Sequence, residues 1–349
     1  MGSIIELLKE TGRPALIAGP CAAESRDQVI RTAEALLGTP GIIAYRAGLW
    51  KPRTRPDDFE GVGEEGLAWL REVKEKTGLR LAVEIATPAH AEACLKSDID
   101  IVWIGARTVV SPFIVDEIAR ALSGSNVCVM VKNPVNPDLS LWTGAIERLK
   151  KKNITKLAAV HRGFDVYYSK PYRNLPLWEI PIELKNDFPE LPVLCDPSHI
   201  GGNRELLQQI SQKALDLGMD GLMIESHIEP EKALTDVAQQ VSPKELKMMI
   251  SKLKIRDHQG KKLDTTLEKY RISIDELDEQ LLEILSKRMQ LSELIGKFKK
   301  EQNLTPYQSE RWSAVFNDRL KKGISLKLDE EFLKRLLNLI HMESLRRQG

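Results

Sequence analysis

The segments ALIAGP (15–20), IIAYRAG (42–48) and RLAVEIAT (80–87) are the first of a series of short apolar stretches. The others are DIVWIGA (100–106), VCVMVKNP (127–134), KLAAVHRGF (156–164), PVLCDPSH (192–199) and DGLMIESH (220–227). They are rich in β-branched residues and apolar on both faces, which is typical of parallel strands covered by helices. An amphipathic, helix-like stretch follows each one. Eight such units in about 240 residues predict a (β/α)₈ barrel over residues 1–255, since a doubly wound sheet rarely needs so many.

The sequence pattern changes after residue 255. Residues 256–263 are polar and lack periodicity, so we interpret them as a linker. From Asp264 to about residue 302 there is no proline, and apolar residues recur at helical spacing, which predicts a helix about 55 Å long. Shorter helices are predicted from about 307 to 321, ended by Gly323, and from Asp329 to about Arg347. We therefore expect an all-helical second domain over 264–349, and the length of its first helix implies a partner helix.

Composition and charge limit the classes of partner. Lys and Arg number 51 against 50 Asp and Glu, a net charge of +1, so there is no overall basic field to hold nucleic acid or an anionic membrane. No apolar run approaches the roughly 18 residues of a membrane span, and the N-terminus does not read as a signal peptide. The four cysteines are too few and too scattered for a disulfide framework. We expect a cytoplasmic enzyme that acts on small molecules.

Charged residues concentrate where the predicted strands end, which is where (β/α)₈ barrels place their active sites. Six of them are cations: Arg46, Lys51, Arg53, Arg107, Lys132 and Arg162. Arginine offers a bidentate fork to phosphate or carboxylate, and lysine offers a point charge. So many cations predict a pocket for more than one anionic substrate.

A second set of residues at the same strand ends mixes soft and hard metal ligands. Its members are Cys21, His199, Glu225 and Asp236. Such a set suits Mn²⁺, Fe²⁺, Co²⁺ or Zn²⁺ and matches Mg²⁺ poorly. We expect a divalent metal cofactor, with Mn²⁺ as the first choice.

The segments that carry these residues also carry a family resemblance. IAGPCAAES, YRAGLWKPRTRP, IGAR, CDPSHIGG and IESHIEPEKALTD, in this order, resemble 3-deoxy-D-arabino-heptulosonate 7-phosphate (DAHP) synthases over about residues 12–255. The resemblance implies a metal-dependent condensation of phosphoenolpyruvate with an aldose phosphate, and the KPRT sequence points to erythrose 4-phosphate. One departure is local, because Lys132 is followed by Asn133 and Pro134 rather than by the commoner Arg-Gly.

The same resemblance implies a role for each site residue. Cys21, His199, Glu225 and Asp236 match the metal ligands. Arg46, Lys51, Arg107, Lys132 and Arg162 match the phosphoenolpyruvate pocket, with Glu84 near its reacting end. Arg53 and Thr54 match the residues that bind the sugar phosphate. Lys51 is our candidate for protonating or steering the new alkoxide.

Two other barrel chemistries remain as alternatives. A Schiff-base aldolase would use a lysine at the upper end of a strand, where Lys132 lies, whereas Lys156 falls at a lower end. A 3-deoxy-D-manno-octulosonate 8-phosphate synthase with a dimerisation helix is the second alternative. Those enzymes resemble this chain less at Pro52 and Arg53, where they carry asparagine.

The helical region contains its own set of cations. Arg288 and Lys299 are 11 positions apart, which places them on one helix face, and Arg311 lies one turn into the next helix. A small dianion could contact all three. Arg271 lies 17 positions before Arg288, about 25 Å along the axis, so it could join the site only from a partner helix. From the charges alone, a solvated basic face remains the alternative.

The spacing R-x₃-D-x₂-D from Arg271, followed by Arg288, Lys299, Tyr307-x₃-Arg311 and Ser344-x₃-Gln348, resembles the all-helical chorismate mutases over about 264–349. The resemblance implies a homodimer that converts chorismate to prephenate, with Arg271 crossing from the second subunit. It implies that cations including Arg288 bind the two carboxylates and the ether oxygen of chorismate, and that Lys299 is the main electrostatic stabiliser. It also implies that Gln348 hydrogen-bonds the ether oxygen and that Ser344 lines the site. Arg311 matches another carboxylate-binding cation.

The mutase pattern is not complete in this chain. Gln308 stands where aspartate is usual, and Trp312 where glutamate is usual. We expect a bifunctional enzyme of aromatic amino-acid biosynthesis, with feedback inhibition through the helical domain. The alternative is a catalytically weak helical domain that senses chorismate or prephenate and inhibits the barrel.

Overall fold

Eight parallel strands close into a barrel, each hydrogen-bonded to the next and β8 to β1. The strands are β1 (Ala15–Gly19), β2 (Ile42–Arg46), β3 (Arg80–Ile85), β4 (Ile101–Ile104), β5 (Cys128–Lys132), β6 (Leu157–His161), β7 (Val193–Cys195) and β8 (Gly221–Glu225). This computed structural model describes residues 14–53, 57–167, 169–256 and 265–348, with the side chains of 265–269 excepted. The chain divides into two units, Met1–His258 and Gln259–Gly349.

Helices alternate with the strands and cover the outside of the barrel. They are α1 (Arg26–Leu36), α2 (Glu65–Thr77), α3 (Pro88–Lys96), α4 (Pro112–Leu122), α5 (Leu139–Lys151), α6 (Glu179–Asp187), α7 (Pro197–Gly201), α8 (Leu207–Asp216) and α9 (Pro243–Lys252). Side chains cap several N-termini, as where Ser242 and Glu245 form a capping box at α9. The predicted (β/α)₈ barrel is therefore confirmed.

One predicted strand is too long. The stretch 192–199 was expected to be extended, but β7 ends at Cys195 and the short helix α7 follows. Asp196 is the N-cap residue, and its side chain accepts a hydrogen bond from the backbone N–H of His199 at 3.1 Å. Pro197 occupies the first helical position, where its missing N–H is tolerated. Asp196 and Pro197 therefore start a short helix directly after β7, and this helix places His199 at the rim.

The barrel interior is filled by side chains from all its strands. Trp103 of β4 is fully buried at its centre, among small or slender neighbours such as Ala44, Ala82 and Ala158. The Arg46 guanidinium carbon lies 4.9 Å from the centroid of the Trp103 ring. Trp103 therefore lies directly beneath the rim, where its ring faces the guanidinium group of Arg46.

The second unit consists of three helices, α10 (Thr265–Glu301), α11 (Ser309–Ser325) and α12 (Glu330–Gln348). The long first helix was predicted nearly to the residue. The expectation that Gly323 ends the second helix is wrong, because α11 continues to Ser325. A side chain at Gly323 would lie 2.5 Å from Leu333 Cδ1, so this glycine allows α12 to approach rather than ending the helix. The described helices include none that is long and apolar enough to cross a membrane.

The N-terminal half of α10 is uncovered within its own unit. Every residue from Tyr270 to Ile284 is exposed, including Leu277 at 62% and Leu282 at 67%. A row of exposed leucine and isoleucine side chains on one helix is unusual for a surface that faces only water.

The central position of Trp103 gives a test of barrel packing. Trp103→Ala should lower the free energy of unfolding by about 3–5 kcal/mol, because it leaves a cavity inside the closed sheet. Trp103→Phe, which keeps an aromatic ring beneath Arg46, should cost less. Urea unfolding followed by circular dichroism measures both changes. An alanine variant with the wild-type unfolding midpoint would contradict the proposed role of Trp103.

Candidate active sites

The parallel strands deliver their functional side chains to one end of the barrel. Arg46, Lys132 and Glu225 are the last residues of β2, β5 and β8, and all three are buried. Cys21 follows β1 and Glu84 is the penultimate residue of β3. Because all the strands point the same way, these side chains meet at the C-terminal rim.

Three predicted metal ligands form a tight cluster at this rim. One ligand atom each from Cys21, Glu225 and Asp236 lies within 4.8 Å of the others. His199 of α7 lies beside them, with Nε2 3.8 Å from Glu225 Oε1. A thiol, an imidazole and two carboxylates converging in this way fit a divalent transition-metal ion.

Asp196 orients the imidazole of His199. Its Oδ2 lies 2.7 Å from His199 Nδ1 and accepts a hydrogen bond from Lys132 Nζ, also at 2.7 Å. Burial alone would raise the pKa of Asp196, but the charges of His199 and Lys132 hold it well below its usual range. A carboxylate on one nitrogen of a histidine leaves the other nitrogen available as a ligand, a common arrangement around protein metal sites.

Arg173 was not identified from the sequence, yet it connects the two carboxylate ligands. One of its Nη atoms donates to Asp236 Oδ1 at 2.9 Å and to Gln239 Oε1 at 2.8 Å. The amide of Gln239 in turn donates to Glu225 Oε2 at 2.7 Å. One guanidinium group therefore fixes Asp236 directly and Glu225 through Gln239. Arg173 lies in the irregular segment between β6 and α6, where no strand end or periodic pattern indicates a site.

Lys51 lies against the thiol of Cys21. Its Nζ donates to Cys21 Sγ at 3.2 Å, and Sγ lies 3.2 Å from Asp236 Oδ2. Burial, reinforced by the charge of Glu225, raises the pKa of the Cys21 thiol to about 12. Burial by itself lowers the pKa of Lys51, but nearby Cys21, Glu84 and Glu225 outweigh burial and raise it. Lys51 is therefore held as a protonated ammonium group at the rim.

The cluster opens into a cavity of about 290 Å³. Its ionisable lining residues are Lys51, Arg53, Glu84, Arg107, Lys132, Arg162, Asp165, Arg173, His199 and Asp236. Burial, together with the charges of Arg173 and Arg107, lowers the pKa of Arg162 to about 10. Crowded cations of this kind repel one another, so a bound anion would relieve the repulsion.

Arg46 provides the clearest sign of an anionic ligand. It is buried, and its Nη2 contacts Glu225 Oε1 at 3.2 Å. Its Nε and Nη1 are also buried, and they find no hydrogen-bond partner within the described part of the chain. Buried guanidinium nitrogens are rarely left in this state, which points to a ligand as their partner.

The sugar-phosphate residues are only partly described. Arg53 lines the cavity and its Nη2 lies 3.4 Å from Asp58 Oδ2. Arg107 donates to the carbonyl oxygen of Pro52 at 2.6 Å, so it holds the same segment in place. Thr54 lies outside the described residues.

The unusual Asn133 has a structural role in the loop after β5. Its side chain is buried, donates to the carbonyl oxygen of Gly163 at 2.8 Å and accepts from the backbone N–H of Arg162 at 2.6 Å. The amide therefore ties the ends of β5 and β6 together next to Arg162.

Two glycines make room for the functional side chains. A Cβ on Gly105 would lie 2.1 Å from Glu84 Oε1, and a Cβ on Gly48 would lie 2.6 Å from Lys51 Nζ. Both positions therefore exclude any larger residue while Glu84 and Lys51 keep their present places.

The second unit brings some of its predicted site residues together between α10 and α12. Arg288 donates to the hydroxyl of Ser344, which is buried. The backbone of Gln348 lies close to Gly296, where an added Cβ would be 2.6 Å from Gln348 Cα. Gln348 Oε1 is buried without a hydrogen-bond partner among the described residues. Arg288, Ser344 and Gln348 therefore all belong to the packing of α12 against α10.

The other cations predicted for the mutase site lie away from the Arg288–Ser344 contact. Lys299 near the end of α10 donates to the carbonyl oxygen of Pro306 at 2.6 Å. Arg311 is exposed in the first turn of α11, and Arg271 is exposed in the N-terminal half of α10. At 1.5 Å per residue, Arg271 lies about 25 Å from Arg288 along the helix. One copy of the chain therefore does not bring Arg271 to the other cations.

The two departures from the mutase pattern lie at the start of α11. Gln308 is the N-cap residue, but its side chain makes no capping hydrogen bond. Trp312 stacks on the imidazole of His341, with ring centroids 3.7 Å apart and ring planes at 5°. His341 was not singled out from the sequence, because a lone histidine on an amphipathic helix carries no signal.

The fold and these sites define a (β/α)₈ barrel with a cluster of metal-competent ligands beside a cation-lined cavity, followed by a helical unit with its own cations. Residues 7–262 match the DAHP synthetase I family and residues 270–349 match chorismate mutase type II. The chain belongs to the DAHP synthetase I family and carries a C-terminal chorismate mutase type II domain. The predicted identity of both domains is confirmed, and the barrel family is generally metal-dependent.

Known relatives support this assignment. Phospho-2-dehydro-3-deoxyheptonate aldolase of Thermotoga maritima is 32% identical over 243 residues, which are 68% of this chain and 68% of that protein. A crystal structure of the DAHP synthase from Thermotoga maritima has a TM-score of 0.62 at 31% identity, covering 68% of this chain and 67% of that one. A 2-dehydro-3-deoxyphosphooctonate aldolase of Geobacter sulfurreducens is 27% identical over 69% of this chain and 92% of its own length.

The contacts of Arg173 predict an effect on metal binding. Arg173→Met should weaken Mn²⁺ binding about 10–100-fold, because Asp236 and Gln239 lose the group that positions them. Isothermal titration calorimetry on the full chain measures the affinity. Arg148→Met, which removes an ion pair with Asp116 on the outer helices, is the control and should bind Mn²⁺ as wild type does. Wild-type affinity in Arg173→Met would show that Arg173 does not hold the ligands.

Proposed function

We propose that the chain catalyses two reactions, one in each unit. The barrel condenses phosphoenolpyruvate with erythrose 4-phosphate to give DAHP and phosphate. The helical unit rearranges chorismate to prephenate. We assign the barrel to residues 1–255, the linker to 256–263 and the mutase to 264–349; of the linker, only Arg256 lies within the described residues.

The observation that carries the barrel proposal is the shared rim of cations and metal-competent ligands. Cys21, His199, Glu225 and Asp236 would hold the divalent ion, with Mn²⁺ proposed first and Fe²⁺, Co²⁺ or Zn²⁺ as alternatives. A bound ion of this kind supplies Lewis-acid polarisation of a carbonyl oxygen. The mixed thiol, imidazole and carboxylate set supports this choice of metals.

We assign the phosphoenolpyruvate site to the inner cations. The unpartnered nitrogens of Arg46, the ammonium group of Lys132 and the guanidinium of Arg162 would bind its carboxylate and phosphate. Arg107 lies nearer the mouth, where it also supports the segment that carries Arg53. The second anion, the phosphate of the sugar, would bind at Arg53 and Thr54.

Lys51 and Glu84 are the residues that we assign to the proton transfers of this reaction. Carbon 3 of phosphoenolpyruvate attacks the aldehyde carbon, water adds at carbon 2, and phosphate leaves by C–O cleavage. Lys51 is protonated and faces the cluster, so it can give its proton to the alkoxide that forms from the aldehyde oxygen. Glu84 lines the same cavity and can orient the attacking water and accept the proton that this water loses as it adds to carbon 2. The ion pair of Lys132 with Asp196 suits an anion-binding role better than the Schiff-base alternative.

An octulosonate 8-phosphate synthase remains the weaker alternative for the barrel. Relatives with that activity in their names are 27–29% identical, against 32% for the heptulosonate relative. The family match over residues 7–262 favours DAHP synthesis. Turnover with arabinose 5-phosphate, and none with erythrose 4-phosphate, would favour the alternative.

We propose that the helical unit forms a homodimer through α10. Its exposed apolar row from Tyr270 to Ile284 would be covered by the partner helix. An antiparallel partner would bring its own Arg271 to the Arg288, Lys299, Ser344 and Gln348 of this chain. These groups would bind the two carboxylates and the ether oxygen of chorismate and stabilise charge on the breaking bond.

We further infer that ligand binding to the helical unit regulates the barrel. Two activities on one chain allow a ligand of one unit to bias the state of the other. A helical unit that only senses chorismate or prephenate is the alternative reading. Prephenate formation by the full chain separates a catalyst from a sensor.

A substitution at Cys21 tests the barrel proposal and separates the two activities proposed for the chain. Cys21→Ala should lower DAHP synthesis at least 100-fold and reduce Mn²⁺ binding, because the cluster loses its only sulfur ligand. Prephenate formation should stay at the wild-type rate. Both reactions and the bound metal are measured on one preparation. Cys94→Ala, which alters a buried cysteine of α3, is the matched control and should change neither reaction. Synthase activity retained in Cys21→Ala would refute its role as a ligand.

Subunit complementation tests the shared mutase site. Arg271→Ala and Lys299→Ala should each lose mutase activity, because each removes one cation from every site. A mixture of the two variants that exchanges subunits should recover some activity, since one composite site then has both cations. Lys300→Ala is the control for loss of a neighbouring exposed cation and should retain turnover. Mixtures with no recovery would argue against a site built from two subunits.

A further inference from the structure

His341 shares a helix face with the predicted mutase residues. It lies three positions before Ser344 and seven before Gln348 on α12, so the three side chains form one stripe. Ser344 of this stripe receives a hydrogen bond from Arg288 of α10. His341 therefore lies one helical turn away from the Arg288–Ser344 contact.

Aromatic rings fix the orientation of this imidazole. Trp312 lies parallel to it at 3.7 Å between ring centroids, and Tyr307 lies 6.0 Å away at 53°. Both aromatic residues come from the start of α11 and the turn before it. Close parallel stacking restricts rotation of the histidine ring, so its nitrogen atoms keep a defined direction.

One nitrogen of His341 lacks a partner. Its Nε2 is buried and makes no hydrogen bond within the described residues, and the same is true of Gln348 Oε1. Buried polar atoms without a partner are rare in native proteins and call for an explanation. Two of them, one turn on either side of Ser344, are explained by a ligand that supplies the missing hydrogen bonds.

The surrounding charges determine which form of His341 meets this ligand. Burial, together with the charges of Arg288 and Lys299, lowers the pKa of His341. The ring is therefore neutral, with one nitrogen that donates a hydrogen bond and one that accepts. A neutral imidazole suits a hydroxyl group, whereas the two cations suit carboxylates.

We propose that His341 is a substrate-contacting residue of the mutase site, where its Nε2 hydrogen-bonds the ring hydroxyl of chorismate. The proposal rests on the mutase function proposed above. In this arrangement Trp312 contributes the flat surface that holds the imidazole, and the polar contact comes from α12. The contact selects for a substrate that carries a hydroxyl as well as two carboxylates.

Two substitutions separate the hydrogen bond from the stacking. His341→Phe keeps a ring against Trp312 and removes both nitrogens, whereas His341→Gln keeps a polar group and loses the ring. In the full chain, we expect His341→Phe to lower kcat/KM for chorismate at least tenfold and His341→Gln to retain more activity than His341→Phe. With a chorismate analogue that lacks the ring hydroxyl, wild type and His341→Phe should differ by less than twofold.

Other results would overturn the proposal. Wild-type kcat/KM in His341→Phe, or an equal loss in both variants, would mean that the imidazole serves only to pack against Trp312. If His341→Phe also lowered kcat/KM at least tenfold for the analogue that lacks the ring hydroxyl, the proposed hydrogen bond would likewise be ruled out. Circular dichroism and DAHP synthesis by the same preparations check that each variant is folded, and His341→Leu replaces the phenylalanine variant if that one is not.

The same experiment distinguishes failure of the mutase function from failure of this inference. If wild type forms no prephenate, the mutase proposal fails, and calorimetry with chorismate then replaces the rate measurement. His341→Phe should still weaken chorismate binding at least tenfold. Unchanged binding would overturn the assignment of His341.

Discussion

The buried ion pair between Arg46 and Glu225 is the contact on which the barrel site depends. The two side chains are 1% and 0% exposed, and they approach to 3.2 Å. Removing two charges from water is costly, so such a pair persists only where other groups also stabilise it. Gln239 does so for Glu225, and the ring of Trp103 does so for Arg46. Glu225 is one of the metal-competent ligands, and Arg46 is one of the cations proposed to bind the substrate anion, so this pair would set the distance between the two halves of the proposed site.

The same principle of shared partners recurs around the rim. Asp196 contacts both Lys132, which lines the cavity, and His199, which lies beside the cluster. Arg173 contacts Asp236 directly and Glu225 through Gln239. The position of Lys132 is therefore coupled to that of His199, and the position of Asp236 to that of Glu225. The closed barrel makes this possible, because its parallel strands end together and hold Arg46, Lys132 and Glu225 on rigid backbone, to which the loop residues Arg173 and Asp236 are then tied.

The sequence predicted the fold well, because strands buried on both faces leave apolar runs and the intervening helices leave a 3.6-residue period. It also placed residues such as Arg46 and Glu225 at strand ends, and proximity at one rim follows from parallel topology. It did not identify Arg173 or His341, since their importance comes from side-chain contacts between segments far apart in the chain. It misjudged Gly323, because a glycine that ends a helix and one that admits a neighbouring helix look alike in sequence.

A crystal structure with Mn²⁺ and phosphoenolpyruvate, measured near the manganese absorption edge, tests the central claim most directly. That claim is that one rim holds both a metal ion and an anion, separated by the Arg46–Glu225 pair. The account predicts an anomalous peak within bonding distance of Cys21 Sγ and His199 Nε2, with the carboxylate or phosphate of the substrate on Arg46. No peak between these two residues, or a substrate bound away from Arg46, would contradict it.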